Sequence, residues 1–370
     1  MYIFKERRLP SPAELFIVGF HGPRLPDALA RRFGRGDFAG LIFFRRNFTA
    51  PDDAMAIGDD LEAVMSGYVP DPERRVLPPI LAIDHEGGRV QRLRGQVTVW
   101  PPMMNLADKP PELAESVGRA MAWELAACGF NVSFAPVLDV HTNPANPIIG
   151  DRAFGTDPDA AATRALAYLR GLESEPGLRG CGKHFPGHGD TETDSHLTLP
   201  TVRRDLETLK AVELLPFQRS IAARIGMLMT AHVVYSAVDE RPATLSRTWL
   251  HDILRTQLGY DGLLVSDDLD MKAVTAGQLG ISDDSGVVVE SLLAGCDAFL
   301  FCQEPERLQR AEEALIRAAE NSSTVRDRIA ESAARLQRFR SSLGGGRPIR
   351  ERLQKFPVPE HLRLREQFLP

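Results

Sequence analysis

The sequence predicts an α/β protein built as one TIM-type (β/α)8 barrel, and three observations carry that prediction. Eight short apolar runs recur along the 370 residues, each bounded by turn residues and followed by a loop or a helical pattern. Most runs are apolar at consecutive positions, the signature of parallel strands covered on both faces. The main rival, a doubly wound sheet, lacks the Gly-x-Gly-x-x-Gly that its first strand would present.

The runs are LFIVGF (15–20), GLIFF (40–44), ILAID (80–84), VSFAPVLDV (132–140), GCGKH (180–184), GMLMTAHV (226–233), GLLVSDD (262–268) and DAFLFC (297–302). GCGKH has little apolar character and owes its place to the regular order around it. Between the runs, Leu113, Val117, Ala120, Met121 and Leu125 share one face of a predicted helix over Pro111–Cys128. Leu206, Leu209, Val212, Leu215 and Ile221 predict another over Asp205–Ile225. Ser246 is placed to cap a helix running to about Leu258, with Gly259 as its stop. The charged, Ala- and Arg-rich stretch Glu304–Leu343 reads as more than one helix. Residues 144–160, rich in Pro and Gly, read as a long loop of the functional kind.

Eight strand–helix units use the chain to about residue 343, so residues 1–343 form the predicted catalytic barrel. Gly344-Gly345-Gly346 ends the helical region, and residues 344–370 are predicted to be a basic tail without a core of its own. No second domain is expected, because no room is left for one. Lys and Arg number 44 against 50 Asp and Glu, so the net charge of −6 gives no global attraction to nucleic acid or to an anionic membrane. The four cysteines (Cys128, Cys181, Cys296, Cys302) lack metal-type spacing, and the start MYIFKERRLP lacks an apolar leader core. The expected setting is therefore the cytoplasm.

Barrel enzymes carry their chemistry at the C-terminal ends of the strands. Those ends read Asp84, Asp139, Lys183-His184, His232 and Asp267, so five of the eight runs close on ionisable residues. One such residue is an ordinary loop start; five converging on one rim describe an enzyme. The densest segment is KHFPGHGDTETDSH (183–196), whose Gly and Pro residues exclude a regular helix. His184 and His188 have an H-x3-H spacing, but Pro186-Gly187 between them removes the shared helix face that zinc ligation uses, and no metal or organic cofactor is expected. Histidines that merely cap and bridge the loop are the structural alternative. Asp194-Ser195-His196 is made for acid–base work, since residues i and i+2 of an extended stretch project to one side. A paired carboxylate would fix the tautomer of His196 and raise its pKa, which suits proton donation.

SDDLDM (266–271) places an Asp rigidly at a strand end, as nucleophile, metal ligand or electrostatic stabiliser, and spacing alone does not choose between Asp267 and Asp268. Asp270 reads as a solvated or helix N-terminal acid. IDHEGGRVQRL (83–93) sets Asp84 beside Arg89 and Arg92, and DRAFG adds Arg152. Asp and Arg on one rim suit bidentate bonds to vicinal hydroxyls, with a salt bridge inside the loop as the alternative.

Together, IDHEGGRVQRL, FAPVLDV, DRAFG, KHFPGHGDTETDSH, MTAHV and LLVSDDLDM resemble glycoside hydrolase family 3 in order and spacing over about residues 15–310. The DSH loop is most similar to that of its bacterial β-N-acetylglucosaminidases, which act on cell-wall fragments. The resemblance implies a TIM-type barrel, with Asp267 as nucleophile, His196 as general acid/base and Asp194 as its orienting partner. It makes Asp84, Arg92, Arg152, Lys183 and His184 sugar contacts, with His232 and Asp139 in support. It implies an exo-acting, retaining β-N-acetylhexosaminidase that releases nonreducing-end GlcNAc from peptidoglycan-derived muropeptides through a glycosyl-aspartate, in the bacterial cytoplasm. The implied partner is that small glycan, with no nucleic acid and no membrane. A phosphorylase or a β-glucosidase on the same fold, and a catalytically silent sugar-binding protein, are the alternatives.

Overall fold

The computed structural model describes residues 11–69, 77–191, 199–274 and 286–369. All eight predicted runs enter one parallel sheet: β1 (Phe16–Val18), β2 (Gly40–Phe43), β3 (Ile80–Ile83), β4 (Val132–Ser133), β5 (Arg179–Gly180 and Gly182–Phe185), β6 (Met227–Thr230), β7 (Leu263–Asp268) and β8 (Ala298–Phe301). The ladders run β5-β4-β3-β2-β1-β8-β7-β6 and return to β5, because its first piece pairs with β4 and its second with β6. The sheet thus closes on itself as a barrel, with no free edge. Its strands are buried on both sides, which is why their apolar residues are consecutive.

Helices return the chain between strands. The predicted helix Pro111–Cys128 forms over those residues, with Pro111 in its first turn and Gly129 at φ 103° closing it in the left-handed region. Asp53 and Asp157 accept backbone N–H bonds at the starts of Ala54–Ser66 and Pro158–Glu173. The stretch after Glu304 resolves into Pro305–Asn321 and Ser323–Arg340.

Three expectations change. The helix predicted over Asp205–Ile225 is two, Leu206–Ala211 and Leu215–Ala222. Pro216 has no N–H and its ring would meet the carbonyl one turn back, so it is accommodated only by restarting the helix. The stretch after Ser246 is π-helical over Thr248–Gln257, with the Ser246 hydroxyl accepting the Trp249 N–H and Gly259 at φ 69° beyond it. VSFAPVLDV contributes only Val132–Ser133 to regular ladder. Pro136 supplies no donor, and the chain continues as irregular contacts, Lys183 N–H to Pro136 O and Leu138 N–H to Lys183 O.

One continuous apolar core fills the barrel and the layer beneath its helices, and it takes in Leu353 and Phe368 of the tail. All four cysteines are free and buried. Among the described residues no helix is long and apolar enough to cross a membrane.

Candidate active site

A cavity of about 370 Å³ opens at the C-terminal ends of the strands. Its walls include Asp84, Glu86, Arg92, Arg152, Lys183, His184, His188 and Asp267, together with Arg46 and Phe44 after β2. A polar cleft of this size at this face is where a barrel binds its ligand.

The charged side chains form an alternating chain across the floor. Arg92 Nη2 donates to Asp84 Oδ2 at 3.2 Å, and Lys183 Nζ sits between Asp84 Oδ1 at 2.7 Å and Glu86 Oε1 at 2.6 Å. Glu86 in turn accepts a two-pronged bond from Arg152, 2.7 and 2.9 Å. Burial would push both carboxyls up, but the Lys183 and Arg92 charges hold Asp84, and the Arg152 and Lys183 charges hold Glu86, below the usual carboxylate range. Burial works against the Lys183 ammonium, yet its two carboxylates raise it above a free lysine. Three cations alternate with two anions, each a fixed donor or acceptor ready to meet a hydroxyl.

Asp139, in the irregular stretch after β4, organises the neighbouring wall. It accepts from the His188 N–H at 2.6 Å, from the His184 N–H at 3.2 Å, and pairs with His184 Nδ1 at 2.7 Å. With Nδ1 engaged, Nε2 is the nitrogen that His184 offers to a ligand. His188 Nδ1 meets the Thr191 hydroxyl at 2.9 Å, and burial beside His184 lowers its pKa to about 4, so this ring is neutral at pH 7. Among the described residues no group of three or more His, Cys, Asp and Glu side chains is arranged to hold a metal.

The two acids at the end of β7 separate cleanly. Burial would raise Asp267, but His184, His232, the Asp268 N–H at 2.8 Å and Lys183 reverse the effect and hold the carboxylate ionised. Asp268 also lines the cavity, but its Oδ1 is taken up by two backbone donors, the Asp270 N–H of its own loop and the Cys302 N–H at the end of β8. Burial and the Asp270 charge push Asp268 up to about 7. Asp267 is thus the fully charged acid of the pair at neutral pH. His232 backs this strand end, bonding Thr244 Oγ1 at 2.8 Å and the Asp268 carbonyl at 3.1 Å. Of the two readings of Asp270, the helix N-terminal one describes its contacts: its Oδ2 accepts the Gln303 and Glu304 N–H groups just before helix Pro305–Asn321.

The structure therefore gathers Asp84, Arg92, Arg152, Lys183, His184 and Asp267 around one cavity, with Asp139 and His232 behind it. Asp194 and His196 lie outside the described residues. The sequence reading missed Glu86, which ties Arg152 to Lys183. Its signal was available: Asp84 and Glu86 are two apart in an extended segment and so face one side. Arg46 was missed as well; it bonds the Phe20 and Cys302 carbonyls and lies 4.2 Å over Phe44.

A closed parallel barrel whose rim sets an ionised aspartate beside a polar pocket of paired acids and bases has the make-up of a glycoside-hydrolysing catalytic domain. The chain belongs to glycosyl hydrolase family 3, whose N-terminal domain model matches residues 14–339. A β-hexosaminidase of Chromobacterium violaceum is 40% identical over 303 residues, 80% of either chain. One from Pseudomonas aeruginosa is 42% identical over 283 residues, 76% of this chain and 80% of the relative. Among solved structures, NagZ from Neisseria gonorrhoeae, in complex with N-trifluoroacetyl-D-glucosamine, superposes with a TM-score of 0.75 at 32% identity over 98% of both chains. A family 3 β-N-acetylglucosaminidase from Paenibacillus sp. gives 0.83 at 34% identity, over 96% of this chain and 67% of that one.

Proposed function

We propose that the protein is an exo-acting, retaining β-N-acetylhexosaminidase that removes nonreducing-end GlcNAc from peptidoglycan-derived muropeptides in the bacterial cytoplasm. The observation that carries the reading is Asp267: an ionised carboxylate on a rigid strand end, lining the cavity beside Lys183 and His184. Relatives named β-hexosaminidase, and a neighbour holding an N-acylglucosamine, support the sugar class.

In the proposed reaction, Asp84, Arg92, Arg152, Lys183 and His184 grip the sugar hydroxyls through charge-assisted bonds, which fix the ring over Asp267. An Asp267 oxygen attacks the anomeric carbon as the glycosidic C–O bond breaks, and the leaving oxygen takes a proton from His196. Neutral His196 then takes a proton from water, whose oxygen attacks the same carbon, releasing the sugar with its configuration retained and Asp267 restored. Asp194 orients His196 throughout. Because the acid is an imidazole, the usual reading of stereochemistry from the spacing of two carboxylates has no second carboxylate to use.

The test is a panel of β-GlcNAc and β-glucose glycosides, assayed with and without phosphate. The reading expects GlcNAc release that prefers the 2-acetamido sugar and proceeds in phosphate-free buffer. Sugar 1-phosphate as the main product would make the enzyme a phosphorylase, equal rates on glucose a β-glucosidase, and no turnover at all a binding protein. His196→Ala should cost an alkyl or sugar aglycone roughly 10²–10⁴-fold, the worth of general acid catalysis, and an acidic phenol far less. Equal losses on both would remove His196 as the acid.

A further inference from the structure

The basic tail lies outside the residues matched by the family model, and it carries two short helices, Arg350–Leu353 and Pro359–Glu366. It starts at the end of the barrel away from the cavity, where the Gly344 N–H donates to Gly177 O at 2.8 Å and its carbonyl accepts Asn131 Nδ2 at 3.1 Å. The Ile349 N–H donates to Ala127 O at the C-terminal end of helix Pro111–Cys128. Arg350 pairs with Asp59 and Glu62, Arg352 lies 5.2 Å over the Trp123 ring, and Phe356 packs against the same ring. Helix Pro359–Glu366 then packs against Pro111–Cys128. His361 Nδ1 meets Glu124 Oε1 at 2.8 Å, Asn105 Nδ2 donates to Phe368 O at 3.1 Å, and the fully buried Phe368 ring stacks on Trp100. Residues 100 and 105 sit in the loop that leaves β3 on the catalytic face. The tail thus spans the barrel from its far end to the rim.

Trp100 joins the tail to the site. Its carbonyl accepts the Gly88 N–H at 2.8 Å, and its N–H donates to Gln91 Oε1 at 2.9 Å. Gln91 Nε2 fastens the same turn to Leu93 O and Thr98 O. Gly87 and Gly88, at φ 94° and 55°, press so closely on Pro101 and Pro102 that side chains there would collide. The hairpin His85–Gly87 with Val90–Gln91 is therefore seated on the Trp100 segment. That hairpin carries Glu86, which fixes Arg152 and Lys183, and it leads directly into Arg92. Glu124, fully buried, ties the layers together by accepting from the Thr98 hydroxyl at 2.6 Å, from Trp100 Nε1 at 3.4 Å and from His361.

We propose that residues 359–368 are a positioning strap for the sugar-binding hairpin: Phe368 and His361 brace Trp100, and Trp100 sets where Glu86 and Arg92 stand. Neither tail residue touches the cavity, so both are positioning residues. The inference rests on the β-hexosaminidase reading of that cavity. The experiment compares the full-length wild type, Phe368→Ala and Phe368→Leu by KM and kcat on an aryl β-GlcNAc, by GlcNAc binding in calorimetry, and by thermal melting, with assays held well below each midpoint. Phe368→Ala should raise KM and weaken GlcNAc binding about tenfold, the scale set by a sub-ångström misplacement of binding groups, with Phe368→Leu recovering most of it. A lowered midpoint with KM and GlcNAc affinity kept within about twofold of wild type would overturn the strap. Should Phe368→Ala fail to fold, His361→Phe keeps a ring against Trp100 and Trp123 while deleting the Glu124 bond. It should raise KM about threefold, and an unchanged KM overturns the proposal. A wild type that neither turns over nor binds GlcNAc overturns the reading of the cavity and the strap together; a wild type that does both, beside tail variants that match it, overturns the strap alone.

Discussion

Replacing Glu86 by Gln should cost this protein both stability and sugar affinity, because Glu86 joins two cations of the charged floor. Glu86 is 3% exposed and makes three charged contacts within 2.9 Å, two to Arg152 and one to Lys183. An amide of the same shape keeps one acceptor oxygen but turns an N–H toward a guanidinium or an ammonium. Removing one partner from a buried ion pair leaves the other charge uncompensated, a loss of about 3–5 kcal/mol. An unfolding entropy of about 2.1 cal/mol/K per residue, over 370 residues, amounts to about 0.8 kcal/mol per degree, so the midpoint should fall by about 4–6 °C. Arg152 and Lys183 would also lose their alignment, so KM for a β-GlcNAc glycoside should rise while residual turnover persists. Scanning calorimetry with steady-state kinetics on the same preparation tests both halves. A midpoint within about 1 °C of wild type and an unchanged KM would refute the claim that Glu86 holds the charged floor together.

Asp297, at the foot of β8, is fully buried and shared by Arg255, Arg328 and Arg335. Asp297→Ala should cost about 3–5 kcal/mol of stability by the same reasoning, yet leave kcat/KM per folded molecule near wild type, because this cluster lies at the opposite end of the barrel; a denaturation curve and active-site titration separate the two. Asp268 reverses the usual pH dependence of an acid. Its native carboxyl holds a proton up to about pH 7 while the unfolded one releases it near 3.8, so the native state binds more protons across that window and stability falls as pH rises through it. Asp268→Asn removes that contribution, and its melting temperature should therefore decline less than the wild type's between about pH 5 and pH 7.

The barrel could be read from the sequence because burying a strand on both faces leaves a contiguous apolar run, and eight of these survive in order. Helix ends were legible where a local rule fixes them, as with Pro111 and Gly129. They were misread where a rule was overlooked: Pro216 breaks what the apolar periodicity treats as one helix. The rim acids Asp84 and Asp267 were visible because they end apolar runs. Glu86 was hidden by the glycines that follow it, which made its segment look like turn alone. Alternation along a strand could not say which acid of SDD is charged; that depends on burial and the Asp270 charge acting on Asp268, and on His184, His232 and Lys183, distant in sequence, gathered around Asp267. The tail's role was equally out of reach, since its meaning lies in Phe368 meeting Trp100 across 268 positions of sequence.

The central claim is that Asp267 is the nucleophile, and a trapping measurement addresses it directly. The protein is incubated with a slow 2-fluoro glycoside whose leaving group needs no acid, and its mass is followed intact and after digestion. The account predicts a stoichiometric mass gain of one glycosyl unit on the peptide bearing Asp267, and none in Asp267→Ala, which should also be inactive on an aryl β-GlcNAc. A glycosyl adduct on Asp268, or wild-type turnover by Asp267→Ala, would contradict it.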